Sequence, residues 1–138
     1  MTPEDIDLVQ SSFVKVMPIS AATAKLFYDR LFEIAPYTRA YFRGDIGVQR
    51  VKLMTTLSAV VEGLHDLDEI LPVAKTLAIR HVAYGVKPKD YQPVGEALVW
   101  ALAETLGDEF TAELREAWLN AYADLSAAMI AAAYRDAA

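Results

Sequence analysis

The chain of 138 residues contains no cysteine. That absence excludes disulfides, cysteine nucleophiles, thiolate-ligated haem, iron–sulfur clusters and zinc sites of the cysteine type. Histidine is nearly as scarce, with His65 and His81 the only two. Apolar residues make up 54% of the chain, yet no run approaches the ~18 consecutive apolar residues that a membrane span needs. Positive charge is in deficit. Thirteen Lys and Arg stand against 19 Asp and Glu, for a net charge of −6 and a pI of about 4.8. Neither nucleic acid nor an anionic membrane is the expected partner of such a chain. No Gly-x-Gly-x-x-Gly occurs, so no dinucleotide-binding turn is expected. The acidic N-terminus, Met1-Thr-Pro-Glu-Asp5, has no apolar segment behind it. It predicts no signal or transit peptide and a cytoplasmic protein.

What the sequence does contain is helical periodicity. Its length suits one domain, residues 1–138, with a sizeable core. Thr2-Pro3-Glu4-Asp5 reads as a cap, a first-turn proline and an acidic first turn, opening a helix that runs to about Met17 before Pro18. A second helix is predicted from Ser20 to Ile34, ending before Pro36. A short element with Tyr37, Tyr41 and Phe42 follows, then a break at Gly44–Gly47. Leu53, Leu57, Val60 and Leu64 form a core-facing stripe on the next helix. Asp66 is a cap candidate for the helix that carries His81. After Pro88 comes a helix presenting Val94, Leu98, Ala101 and Thr105. Gly107-Asp108 is a turn, and the last helix carries Leu114, Trp118, Ala121, Leu125 and Met129. Six longer helices and one short one, with strand signals nearly absent, predict an all-α fold.

The most informative stretch runs from Leu77 to Glu96. It sets His81 near a helix end, breaks the helix at Gly85 and Pro88, and opens a new apolar helix at once. A neutral imidazole at a helix end, facing a second apolar helix, is what binding haem iron through one side chain requires. His65 stands about four helical turns, or ~24 Å, from Gln49, too far to share the same iron, and reads as a solvated helix-end residue.

Three stretches together resemble the bacterial single-domain globins and the globin domains of flavohaemoglobins. They are Leu26-Phe-Tyr-Asp-Arg-Leu-Phe32, Arg80-His-Val-Ala-Tyr-Gly-Val86 and Ala117-Trp-Leu-Asn-Ala-Tyr122, and the likeness spans nearly the whole chain. Its strongest part is His81-x-x-x-Gly85-Val86 followed by Tyr91-x-x-Val94-Gly95-Glu96. The resemblance implies a globin fold of six to eight helices around haem b. His81 falls on the proximal iron ligand, Phe42 on the aromatic of the haem face, Tyr28 and Gln49 on a distal tyrosine and glutamine, and Leu53 on the apolar distal position. Leu77, Val86, Tyr91, Val94 and Leu98 complete the lining, and Lys52 and Arg80 are the best-placed cations for the haem propionates.

Residues four apart share a helix face, which puts Gln49 and Leu53 together. The stretch between Phe42 and Gln49 is shorter than in flavohaemoglobins, so a slip in register would instead bring Val48 or Lys52 inward. On the proximal side Tyr91 matches the family's tyrosine, but its glutamate partner is replaced by Ala133. Asp124 and Asp136 lie at the wrong helical phase.

The resemblance implies reversible binding of O2, NO or CO by a monomer or homodimer. Two hydrogen-bond donors, each worth ~1.5–3 kcal/mol, would slow O2 release by roughly a hundredfold. Nitric oxide dioxygenation is the alternative, and it needs an electron-donating reductase that flavohaemoglobins carry themselves and these 138 residues do not contain. A haem-free globin-fold interaction protein is a third class, opposed by the joint presence of His81, Phe42 and Tyr28.

Overall fold

A computed structural model describes residues 1–42 and 44–134, leaving aside the side chains of Leu67 and Tyr134. It contains six α-helices and, among these residues, no strand. They are α1 (Pro3–Val16), α2 (Ser20–Ile34), α3 (Ile46–Glu62), α4 (Leu67–Ala83), α5 (Tyr91–Leu106) and α6 (Ala112–Tyr134). Short 3-10 segments lie at Met17–Ile19, Pro36–Tyr41, Pro88–Asp90 and Gly107–Glu109. The predicted all-α architecture is therefore the observed one.

Local chemistry sets most helix ends. The Thr2 hydroxyl accepts from the Asp5 amide, while the Asp5 carboxylate accepts from the Thr2 amide, a reciprocal cap for α1. Asp45 accepts from the Gly47 amide at 2.8 Å and starts α3 at Ile46, so the predicted Gly44–Gly47 break is confined to its first half. Asp66 caps α4 as expected, accepting from the Glu69 amide at 3.3 Å. Pro72 sits inside α4 without ending it.

The core forms where α2 packs on α5, α1 and α4 pack on α6, and α3 packs on α2. Val9, Leu31, Ala97, Leu102, Ala117 and Trp118 are buried there. The predicted stripes of α5 and α6 face this core, with Leu98, Ala101, Leu114, Trp118, Ala121 and Met129 buried. Gly95 permits a close crossing: a Cβ there would stand 2.6 Å from the Tyr122 ring.

One helix pair departs from this packing. α3 and α4 meet at their shared corner, where a Cβ on Gly63 would reach within 2.7 Å of the Ile70 side chain. Farther along, the described residues of the two helices share few close backbone contacts. The two helices thus diverge from the Gly63–Ile70 apex toward Gln49 on one arm and His81 on the other. The space between these arms is the candidate slot, with Gln49 on the α3 arm and His81 on the α4 arm.

Candidate functional site

His81 stands in the last turn of α4 and is half-buried. Its Nδ1 lies 2.5 Å from the Leu77 carbonyl oxygen. A carbonyl only accepts, so Nδ1 carries the proton and donates; in the neutral ring, Nε2 then keeps its lone pair. The helix ends one turn later with the Gly85 amide donating to Val82 and the Val86 amide donating to the His81 carbonyl. This double bond pattern requires a left-handed residue, supplied by Gly85 at φ +95°. The Gly85-Val86 signature in the sequence is therefore the physical stop of the His81 helix.

Tyr91 is buried, and its ring stacks on His81 with centroids 6.3 Å apart. The Tyr122 hydroxyl donates to the Tyr91 backbone carbonyl at 2.6 Å, tying α6 to the start of α5. Burial pushes the Tyr122 phenol well above its ordinary range, so it remains a donor. Ala133 is half-buried against the core. Asp124 is exposed, and Asp136 lies outside the described residues.

On the α3 side, Tyr28 is buried and its ring sits edge-on to Phe42, with centroids 5.3 Å apart; Phe32 completes the aromatic cluster. The Tyr28 hydroxyl donates to the Gln49 backbone carbonyl at 3.4 Å, a long bond near the geometric limit. Burial pushes its pKa up to about 12, against a smaller opposing pull from the Arg50 charge. Gln49 is half-buried, whereas Val48 and Lys52 are exposed. The Tyr28 hydroxyl thus meets the backbone of Gln49 rather than that of Val48 or Lys52.

The remaining candidates fall on both arms. Phe42, Leu53, Leu77, Val86 and Val94 are half-buried apolar residues packed at the edge of the core. Leu98 lies deeper, lining a small cavity of about 30 Å3 with Leu57, Val60 and Trp118. Lys52 and Arg80 are exposed neighbours of Leu53 and His81. His65 is exposed at the far end of α3, with Nε2 at 3.9 Å from Asp7.

Two features escaped the sequence reading. Arg50 keeps a buried Nε with no hydrogen-bond partner, close enough to Tyr28 for its charge to be felt. Asp90, only 1% exposed, accepts from the Tyr37 and Tyr41 hydroxyls, each at 2.8 Å, and from the Lys87 amide at 2.9 Å. Burial alone would raise its carboxyl pKa, but these donors and the Lys89 charge hold it below the usual carboxylate value. No residue spacing announces contacts between residues 53 and 49 apart in the chain.

The donor set fits haem. Among the described residues no group of three or more His, Cys, Asp or Glu could hold a metal ion unaided. A single neutral imidazole suits a metal whose other donors come from a macrocycle, and a slot edged by half-buried apolar side chains suits the flat face of that macrocycle.

Comparisons with known proteins agree with this geometry. The globin family profile matches residues 25–129. The chain is 38% identical to a flavohemoprotein of Oceanobacillus iheyensis over 73% of its own length and 26% of that protein's. It is 29% identical to the neuroglobin of Tetraodon nigroviridis, covering 94% of this chain and 90% of the other. The chain thus spans about a quarter of that flavohemoprotein but most of the neuroglobin. Its fold superposes on an engineered carbene transferase, described as a putative nitric oxide dioxygenase from Rhodothermus marinus. That match has a TM-score of 0.87 and 26% identity, over 99% of this chain and 94% of the other. No helix among the described residues is long and apolar enough to cross a membrane. The chain belongs to the globin family, which implies a haem cofactor.

Proposed function

We propose that this globin binds O2, and also NO and CO, reversibly through haem b held by His81. The observation that carries the reading is the contact of His81 Nδ1 with the Leu77 carbonyl oxygen. The Nδ1 proton is committed to that carbonyl, which leaves the Nε2 lone pair for iron. Bound there, ferrous haem supplies an open coordination position for a diatomic gas. The chain's residues supply the rest. Phe42, Leu53, Leu77, Val86, Val94 and Leu98 keep water away from the cofactor faces, and Lys52 and Arg80 offer charge to the propionates. The Tyr28 hydroxyl and the Gln49 carboxamide donate to a gas that draws negative charge onto itself.

On the opposite side, the Nδ1 partner is a neutral carbonyl, and Ala133 stands where the resemblance implies a glutamate. A neutral acceptor gives the imidazole less anionic character than a carboxylate would. The Fe–His stretching frequency should therefore lie below that of flavohaemoglobin-type domains, and Ala133→Glu should raise it together with any peroxidase activity. Resonance Raman of both ferrous proteins reads this. Identical frequencies would mean that Tyr91 or another group sets the basicity of His81 alone.

Nitric oxide dioxygenation is the second reading, favoured by the likeness to the Rhodothermus marinus protein. It needs electrons from a reductase lying outside these 138 residues. Oxygenated protein mixed with excess NO and a cellular reductase distinguishes the two: one equivalent of nitrate and a halt supports gas binding, and continued nitrate production supports the enzyme.

A further inference from the structure

The buried Asp90 carboxylate joins two segments that otherwise approach the slot from different parts of the chain. One is the 3-10 segment Pro36–Tyr41, which delivers Phe42. The other is the corner between His81 and Tyr91, which carries Gly85, Val86 and Lys87. Oδ1 accepts from Tyr37, and Oδ2 accepts from both Tyr41 and the Lys87 amide. The Tyr41 ring also covers Gly85, where an added Cβ would meet it at 3.5 Å. A dry carboxylate with both oxygens occupied fixes its partners more firmly than an exposed pair does. Rotating either phenol away would leave buried charge short of a donor.

We infer that Asp90, acting through Tyr37 and Tyr41, is a positioning residue that sets the distance between the Phe42 wall and the His81–Val86 wall of the haem slot. The inference rests on the haem reading of that slot. It gives a role to the bond by which a half-exposed tyrosine, Tyr37, is anchored to a buried acid. It also assigns the clamp two measurable consequences, namely how long haem is retained and how freely the His81 ring tilts toward iron.

Asp90→Asn keeps the shape of the side chain but replaces one acceptor oxygen with a donor, so at least one of its three donors loses its acceptor. Transfer of ferric haem to an excess of a haem-scavenging apo-globin should become about tenfold faster, equal to ~1.4 kcal/mol. The ferrous Fe–His81 band should shift or broaden in the same variant. Tyr41→Phe and Tyr37→Phe each remove one hydroxyl that donates to Asp90, leave a hydrophobic ring in place and should give smaller changes in the same direction. These two variants keep the test decisive if Asp90→Asn does not fold. A purely structural role would lower the unfolding temperature without moving the Fe–His band. Unaltered haem loss and an unaltered band in Tyr41→Phe and Tyr37→Phe would overturn the clamp while leaving the haem reading intact. A wild-type protein that takes up no haem would instead overturn the reading of the slot, and the clamp with it.

Discussion

Tyr28→Phe should speed O2 release by about tenfold or more, a change of ~1.4 kcal/mol or above. Burial pushes the phenol up to about 12, so it carries its proton at any physiological pH and is always a donor. Its resting bond to the Gln49 carbonyl is 3.4 Å long, weak enough for the hydroxyl to turn toward a better acceptor at small cost. O2 held by ferrous haem is such an acceptor, because it gains negative charge on binding. Phenylalanine keeps the edge-on contacts with Phe27 and Phe42, so the fold should lose little stability. CO gains little charge and its release should change much less. Gln49→Leu should act in the same direction as Tyr28→Phe, and the two should combine non-additively because both donors address one ligand. Stopped-flow displacement of O2 by CO measures each rate. Off-rates within about twofold of wild type in both variants would show that the pocket is not polar in this way.

The helix ends and turns around the candidate site are legible in the sequence because their signals are local. Asp66 announces its helix by a cap that reaches three residues, and Gly85 announces the end of the His81 helix by a conformation few other residues adopt. The bond that fixes the His81 tautomer spans a single helical turn, from residue 81 back to residue 77. Gln49 was harder to place. A short connection before α3 left its register open, and it took the fold to set its backbone beside Tyr28, 21 residues away.

What stayed illegible is what the tertiary fold alone brings together. The two tyrosine donors to Asp90 lie 53 and 49 residues from it, and nothing in Pro88-Lys-Asp90 distinguishes this acid from a solvated turn residue. Arg50 reads as a surface charge on a helix, yet its Nε is buried beside the Tyr28 cluster. Tyr122 reads as one more core aromatic. Only its passage over Gly95 and its bond to the Tyr91 carbonyl reveal that it steadies the residue stacked on His81.

The largest expected effect follows from His81, since the proposed roles of the other site residues all depend on a haem that this one side chain would hold. His81→Ala removes the imidazole proposed to hold iron, and His65 stands exposed in the turn beyond α3, at the end opposite Gln49. A methyl group cannot coordinate, and the vacated volume is close to that of an imidazole molecule. Free imidazole should therefore enter and restore the lost coordination. The most direct measurement is the visible and resonance Raman spectrum of the ferrous protein reconstituted with haem b. Wild type should bind one haem per chain and show a five-coordinate histidine complex, His81→Ala should lose that signature, and added imidazole should return it. A six-coordinate ferrous spectrum that survives His81→Ala and disappears on His65→Ala would contradict the account.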